Sequence, residues 1–405
     1  MKPIVRAGRM KPVHSDIRGP LFVEAMKRQK QGIDILKLNT GNPATFGFGL
    51  PDSIKNALME HMQDGVGYCD FKGMPQARQA ICDYETSKGI KGITPDDVFI
   101  GNGVSEVVSF ALTPLLNDGD EVLVPSPSYS LWGNSVYLED GKPVFYTCDE
   151  QANWYPDIQD IRSKITDKTK AIVIINPNNP TGVLYPKELL LEIIQIAREF
   201  GLLILADEIY DRLVMDGKQH ISLASLTEDV PVITLNGLSK SHCLCGYRCG
   251  WMVISGPREL TEDYRQGIIQ LTSLRLCANT LAQIVIPAAL DDMETPASMV
   301  RPGGRIYEQR EATVRELEKI DGLSFVKNDA AFYVFPKLDV KKFNITNDKQ
   351  FAHDLLDVTN ILLVPGSGFD WKDPDHFRIV MLPQADILSD AIRRMGTFLD
   401  GYKQK

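Results

Sequence analysis

The chain has 405 residues, 43% of them hydrophobic, seven cysteines and a formal net charge of -9. That length allows two domains and a large core, and an acidic balance with no long Lys/Arg block argues against nucleic acid as a partner and for small molecules. The odd number of thiols in a chain too large to need disulfides, the basic residues 1–11 without an apolar core, and the lack of any apolar run near the ~20 residues of a membrane span lead us to expect a cytoplasmic protein with no leader and no membrane segment.

Residues 1–18, rich in Pro, Gly and charge, read as an arm of the kind that crosses to a partner subunit. Apolar Leu21, Phe22, Ala25 and Met26 predict a short helix over 21–31, ended near Gly32. Residues 33–38 read as a strand running into Asn39-Thr-Gly-Asn-Pro43, a turn whose backbone N–H groups can meet an anion. Helices are expected over 51–62 and 75–87, separated by the glycine-rich 65–73 with Tyr68 at its centre.

From Val98 apolar runs alternate with helical stretches. Strands are expected at 98–100, 121–124, 144–146, 171–175, 202–206, 232–235 and 251–254, with helices at 105–116, 131–139 and 186–200 among them. This pattern predicts an α/β fold, a mostly parallel sheet covered on both faces with its functional groups at the strand ends. After Pro287 come a charged helix over 304–319, runs at 323–326 and 332–335, a helix over 348–358, and runs at 361–364 and 377–381. These make a smaller α+β segment. The expected division is 1–48 for the arm and part of the small domain, 49–286 for the large domain and 287–405 for the rest of the small one.

Several strand ends carry chemistry. Lys240 sits in a Ser/Gly-flanked turn after 232–235, with Arg248 eight residues on. An amine so placed can form an imine with a carbonyl while the guanidinium holds a phosphate, although on this stretch alone Lys240 reads as one more solvated lysine. Gly101-Asn-Gly103-Val104-Ser105 joins a strand to a helix in the manner of a phosphate cradle, or of a tight turn. Asn179, in Asn176-Pro-Asn-Asn-Pro-Thr-Gly182, either offers a free amide or belongs to a plain Asn/Pro turn. Asp207 ends a buried strand, where a carboxylate needs a positive partner such as a protonated ring nitrogen, unless it caps a helix. Tyr210 can then donate to an oxygen on the same ring. Tyr129 can stack on a flat heterocycle or be core. Arg378, in a strand expected to be buried, implies an anion, and its fork suits a carboxylate. Taken together these are the groups that pyridoxal phosphate and an amino acid require.

Asp16-Ile-Arg-Gly-Pro20, Leu38-Asn-Thr-Gly-Asn-Pro43, Gly67-Tyr-Cys-Asp70, Ile174-Ile-Asn-Pro-Asn-Asn-Pro-Thr-Gly182 and His376-Phe-Arg-Ile-Val380 carry a resemblance along nearly the whole chain. The sequence resembles the fold-type I, class I/II aminotransferases that use pyridoxal phosphate, and within them the bacterial glutamate-pyruvate (alanine) aminotransferases. The resemblance implies that Lys240 is the Schiff-base lysine, Asp207 the partner of the ring nitrogen, and Tyr210 and Asn179 the donors to the phenolic oxygen. It puts Gly103, Val104 and Ser105 on the phosphate with Ser239 and Arg248, and Tyr129 against the ring. Tyr68 is implied to reach the phosphate of a neighbouring subunit, hence a homodimer. Gly41, Asn179 and Arg378 are implied to hold the substrate's α-carboxylate, and Arg18 to close over substrate from the arm.

The implied activity is ping-pong transfer between L-alanine/pyruvate and 2-oxoglutarate/L-glutamate. Aspartate, methionine or aromatic amino acids are the alternative substrates; a β-eliminating or cyclopropane-forming enzyme on the same scaffold, and a non-catalytic ligand sensor, are the alternative functions. Such alanine enzymes tend to carry a tyrosine three residues before the arm's arginine, where this chain has Ser15, which leaves substrate preference open. His242 with Cys243, Cys245 and Cys249 lacks the paired C-x-x-C spacing of structural zinc, so no metal is expected and the cysteines read as fillers of a packed loop.

Overall fold

Prolines and glycines set the first boundaries of the fold. In the computed structural model, which describes residues 2–405, helix α1 (Pro20–Lys30) opens on a proline in its first turn and gives out before Gly32, at φ 90°. Met1, the first residue of the expected arm, lies outside the described residues. Strand β1 (Leu36–Lys37) is shorter than the expected 33–38, because it pairs only with the two-residue strand Ile361–Leu362. Helices α2 (Asp52–His61) and α3 (Pro75–Ser87) fall where their apolar spacing puts them.

The alternating runs assemble into one eight-stranded sheet. Its members are β2 (Val98–Asn102), β3 (Glu121–Ser126), β4 (Lys142–Asp149), β5 (Tyr155–Pro156), β6 (Thr169–Ile175), β7 (Leu203–Asp207), β8 (Val232–Gly237) and β9 (Cys249–Ser255), in the order β2-β9-β8-β7-β6-β3-β4-β5. The pairings from β4 through β3, β6 and β7 to β8 are parallel. Strand β9 runs antiparallel to both neighbours, β8 and β2, and β5 runs antiparallel to β4.

Every residue of β3, β7, β8 and β9 is buried, which explains why they read as continuous apolar runs rather than as alternations. Helices α4 (Val104–Leu112) and α5 (Leu131–Leu138) cover one face through Val108, Leu112, Trp132 and Val136. The helix Lys187–Phe200 covers the other through Leu190, Ile193, Ile194 and Ala197. The helix Arg258–Arg275, not anticipated, is held on its buried side by polar groups, with Arg265 Nη1 2.6 Å from Asp97 Oδ1.

The C-terminal part is built on a three-stranded antiparallel sheet, Tyr333–Val334, Phe377–Val380 and Val364–Pro365, packed against the helices Asp348–Thr359 and Ala385–Leu399 around Leu355, Phe377, Ile379, Leu388 and Ile392. The expected single strand over 361–364 is two: Ile361–Leu362 pairs with β1, and Val364–Pro365 pairs with Phe377–Val380. The run 323–326 keeps only Leu323–Ser324 as strand. Among the described residues no single helix is long and apolar enough to cross a membrane.

Candidate active site

Parallel strands put their C-terminal ends along one edge, and that edge gathers Gly103 after β2, Tyr129 after β3, Asn179 after β6, Asp207 at the end of β7, and Lys240 after β8. The reversed β9 adds to it. Because Gly250 pairs with Gly237 and Cys249 with Asn102, the residue that starts β9 lies at the finish of both neighbours, and Arg248 arrives beside the turn at Gly103. Arg378 comes from the C-terminal sheet, in Phe377–Val380.

These side chains surround a cavity of about 870 Å³. Lys240, Asp207, Tyr210, Tyr129, Arg248 and Arg378 line it, as do Val104, Ser105, Asn179, Ser239, Gly41 and Arg18. Gly103 stands just behind Arg248. Its φ is +85°, and a Cβ there would lie 2.3 Å from Arg248 Nη2, so only glycine lets the guanidinium approach the start of α4. Tyr68 is elsewhere: it is 83% exposed and lines a separate open hollow with Gly65, Val66 and residues 277–280.

Asp207 is buried at the floor. Trp132 Nε1 donates to its Oδ2 at 3.1 Å and the Ile209 N–H to its Oδ1 at 3.3 Å. Burial outweighs both bonds and pushes its pKa up to about 6. No helix follows, only the turn over 209–212, which removes the helix-cap reading. Lys240 is half-buried in the helical turn Leu238–Ser241, and its Nζ donates to Gly41 O at 2.9 Å. Tyr210 Oη donates to Tyr333 Oη at 2.8 Å, and a Cβ on Gly41 would lie 2.3 Å from that same Tyr333 oxygen.

Arg378 is fully buried between the rings of Tyr333 and Phe369, whose centroids are 4.5 and 4.6 Å from its Cζ. Its Nη1 donates to Asn179 Oδ1 at 2.9 Å and its Nη2 to Asn39 O, both neutral oxygens, while Nε has no partner. A buried guanidinium with no counter-charge has the charge and the fork to take up a carboxylate. Desolvation accordingly holds its pKa below the usual arginine range.

Trp132 and Tyr333 were not singled out from the sequence. Trp132 lies three residues after Tyr129, and Tyr333 falls in the 332–335 run, which reads as plain core. The cysteines of the loop have separate partners: Cys243 Sγ is 3.9 Å from Met299 Sδ and Cys245 Sγ is 3.1 Å from Asn42 Oδ1. Burial pushes the Cys243 and Cys249 thiols up to about 12. Glu208, Asp211 and His220 do cluster as metal ligands would. The Lys88 ammonium already supplies a cation there, 2.7 Å from Glu208 and 3.2 Å from Asp211.

The cavity fits pyridoxal phosphate on three counts. A buried carboxyl is short of a positive partner; a helix N-terminus, Val104 and Ser105, stands open beside Arg248; and an amine projects between them and an anion-seeking arginine. Comparison with known proteins agrees. The family model described as aminotransferase class I and II matches residues 33–392. Glutamate-pyruvate aminotransferase AlaA of Haemophilus influenzae is 50% identical over 404 residues, covering 100% of both chains. The crystal structure of an aminotransferase from Escherichia coli superposes with a TM-score of 0.98 at 47% identity, covering 100% of each chain. An alanine aminotransferase from Pyrococcus furiosus gives 0.93 at 41%, covering 98% of this chain and 100% of the other.

Proposed function

The chain belongs to the class I and II aminotransferases, and from that membership we infer that it moves an amino group between L-alanine and 2-oxoglutarate, yielding pyruvate and L-glutamate, and the reverse. Its cofactor is pyridoxal phosphate, which when bound supplies an aldehyde that exchanges amines and a pyridinium ring that accepts the electron pair left at a substrate's Cα. The observation that carries this reading is the joint placement of Lys240, Asp207 and the charge-unpaired Arg378 on one cavity.

Each residue has one task in this reading. Asp207 holds a proton on the ring nitrogen by offering it the negative charge that burial otherwise opposes. Asn179 donates its amide N–H to the ring's oxygen, and Tyr210 donates its hydroxyl proton there once Tyr333 takes over as donor in their pair. Arg248, Ser239, the Ser105 hydroxyl and the open N–H groups of Val104 and Ser105 hold the phosphate, and Gly103, whose own N–H donates to Gly101 O at 2.8 Å, makes the turn that presents them. Tyr129 covers the ring. Arg378, steadied by Asn179 and with Gly41 beside it, takes the substrate's α-carboxylate and so points Cα toward Lys240, whose amine takes the Cα proton. Arg18, at the mouth, meets a second carboxylate when the substrate has one.

The working form in this reading is a homodimer. Tyr68 stands among exposed apolar side chains, Met62, Val66, Leu276 and Leu281 (52, 76, 53 and 42% exposed), a patch that a second copy would cover while Tyr68 reached its phosphate. Free thiols at all seven cysteines suit a reducing cytoplasm. The test is an absorbance spectrum of the holoenzyme, repeated after L-alanine and then, once excess amino acid is removed, after 2-oxoglutarate. The cofactor band should be lost with the first and restored with the second. A band that another amino acid bleaches and alanine does not would replace the substrate and keep the family; light scattering at a monomer's mass would remove the dimer.

A further inference from the structure

The arm crosses the mouth of the cavity at residues 14–18, and its two sides are held differently. On the side of the large sheet the hold is through the main chain: the His14 N–H donates to Asn134 Oδ1 at 3.1 Å, and Asn134 Nδ2 donates to His14 O at 2.6 Å. Downstream, Asn39 Nδ2 donates to Ile17 O at 2.8 Å. On the side of the C-terminal part the hold is through charge. His14 Nε2 is 3.0 Å from Asp370 Oδ1, its Nδ1 is 3.4 Å from Asp16 Oδ2, and Lys349 Nζ is 3.1 Å from Asp16 Oδ1. Asp16 also rests against Gly368, where a Cβ would come within 2.8 Å of the Asp16 Cβ.

Arg18, four residues beyond His14, is the opposite case. It is exposed, lines the same cavity, and makes no hydrogen bond or ion pair among the described residues. Nothing on its own side chain orders it, so its position depends on how firmly the arm is held. A free arm would leave a long side chain with rotamer freedom that a ligand must remove.

We propose that His14 is a positioning residue for substrate choice: by bridging Asp16 to Asp370 it keeps the arm across the mouth with Arg18 turned inward, and so favours a 2-oxo acid with a second carboxylate over one that ends in a methyl group. This rests on the alanine/2-oxoglutarate reading above. 2-Oxoglutarate carries a second carboxylate for a guanidinium to take, whereas pyruvate has only the one that Arg378 takes and offers Arg18 nothing.

The bridge needs a proton. The groups facing His14 are Asp16 from the arm and Asp370 from the turn after Gly366–Phe369; behind them stand Lys349 of Asp348–Thr359, paired with Asp16, and Tyr137 of α5, close to Asp370. The two carboxylates push the His14 pKa up to about 9. The hold is therefore complete at neutral pH and is lost as pH rises through about 9.

The experiment uses holoenzyme in its aminated form, mixed with 2-oxoglutarate or with pyruvate, following return of the cofactor band. The variants are His14→Gln, Arg18→Ala and the pair. With His14→Gln the half-saturating 2-oxoglutarate should rise about tenfold, the range of a hydrogen bond to a charged group, and pyruvate should stay within about twofold. In the Arg18→Ala background the same change should add nothing, because its effect passes through Arg18. In wild type the ratio of the two half-saturating concentrations should climb through about pH 9, and in His14→Gln it should be flat. Equal shifts for both acids, an added penalty without Arg18, or a pH-independent wild-type ratio would overturn the inference. Wild-type enzyme that 2-oxoglutarate cannot discharge would overturn the substrate reading itself, and is seen before any variant is made.

Discussion

Asp207 and Asp211 are four residues apart and both buried, yet their pKa values move in opposite directions. Asp207 has a tryptophan N–H and a backbone N–H, and burial wins. Asp211 accepts from Tyr84 Oη at 2.5 Å and Asn236 Nδ2 at 2.7 Å and has the Lys88 ammonium at 3.2 Å, so charge wins. The cations divide the same way. Lys88, ringed by Glu85, Glu208 and Asp211, is held well above the usual lysine range, while Arg378, with neutral partners only, is held below the usual arginine range. Buried charges answered within the chain belong to the scaffold. Those left unanswered mark where a ligand supplies the missing charge.

The largest separation of the two sets should come from Asp207→Asn, which is expected to lower kcat by about 10²–10³-fold, the range seen when one preorganised charge is lost, with the denaturant midpoint of the cofactor-free protein unchanged or raised. Lys88→Met should do the reverse. It strands three carboxylates and should destabilise by about 3–5 kcal/mol, read from urea unfolding, with turnover per folded molecule changed only a few-fold. A comparable loss of turnover without loss of stability would place Lys88 in the site and break the comparison. Arg378→Lys keeps the charge and loses the fork, so the half-saturating concentrations of both amino acids should rise about 10–100-fold together, since both present an α-carboxylate.

A smaller effect lies in pH. Asp207 in the folded, cofactor-free protein binds its proton up to about pH 6, above its value of 3.8 when unfolded. Its contribution is therefore greatest below pH 3.8 and is lost as pH rises through about 6. Asp211, shifted the other way, contributes above pH 3.8 and loses that as pH falls. Urea midpoints of wild type minus Asp207→Asn should fall between pH 4 and 6.5, and those of wild type minus Asp211→Asn should rise with pH. Smallest is Tyr333→Phe, which removes one hydrogen bond to Tyr210 and should change kcat by about fivefold, near 1 kcal/mol.

Much of this was legible in order and little of it in depth. Each expected strand from 98–100 to 251–254 overlaps an observed one; those buried on both faces, β3, β7, β8 and β9, announce themselves as apolar runs, while β4 is only partly buried. The helix Ala385–Leu399 was missed although Leu388, Ala391, Ile392, Met395 and Leu399 carry the helical period. The helix Arg258–Arg275 had no such signal, since its buried side includes Thr261, Arg265 and Thr272. At the site, the motif residues were found by the resemblance and by their strand-end positions, and nearly all share one cavity. Their supports were not visible: Trp132 reaches Asp207 from 75 residues away and Tyr333 reaches Tyr210 from 123, separations that only the folded chain closes. His14 and Asp370 are 356 residues apart and meet for the same reason.

The reversal of β9 has a further effect on how the cavity keeps its dimensions. Lys240 and Arg248 lie on the connection between two antiparallel neighbours, so the spacing between amine and guanidinium is set by one hairpin loop and not by the docking of separate bodies. In the reading proposed above, that loop acts as a gauge for a ligand with a reactive carbon at one end and an anion at the other. Arg378 stands outside that loop, on the C-terminal sheet, and is tied to the large sheet's edge through Asn179, so the spacing from amine to Arg248 and the spacing from amine to Arg378 are set by different parts of the fold.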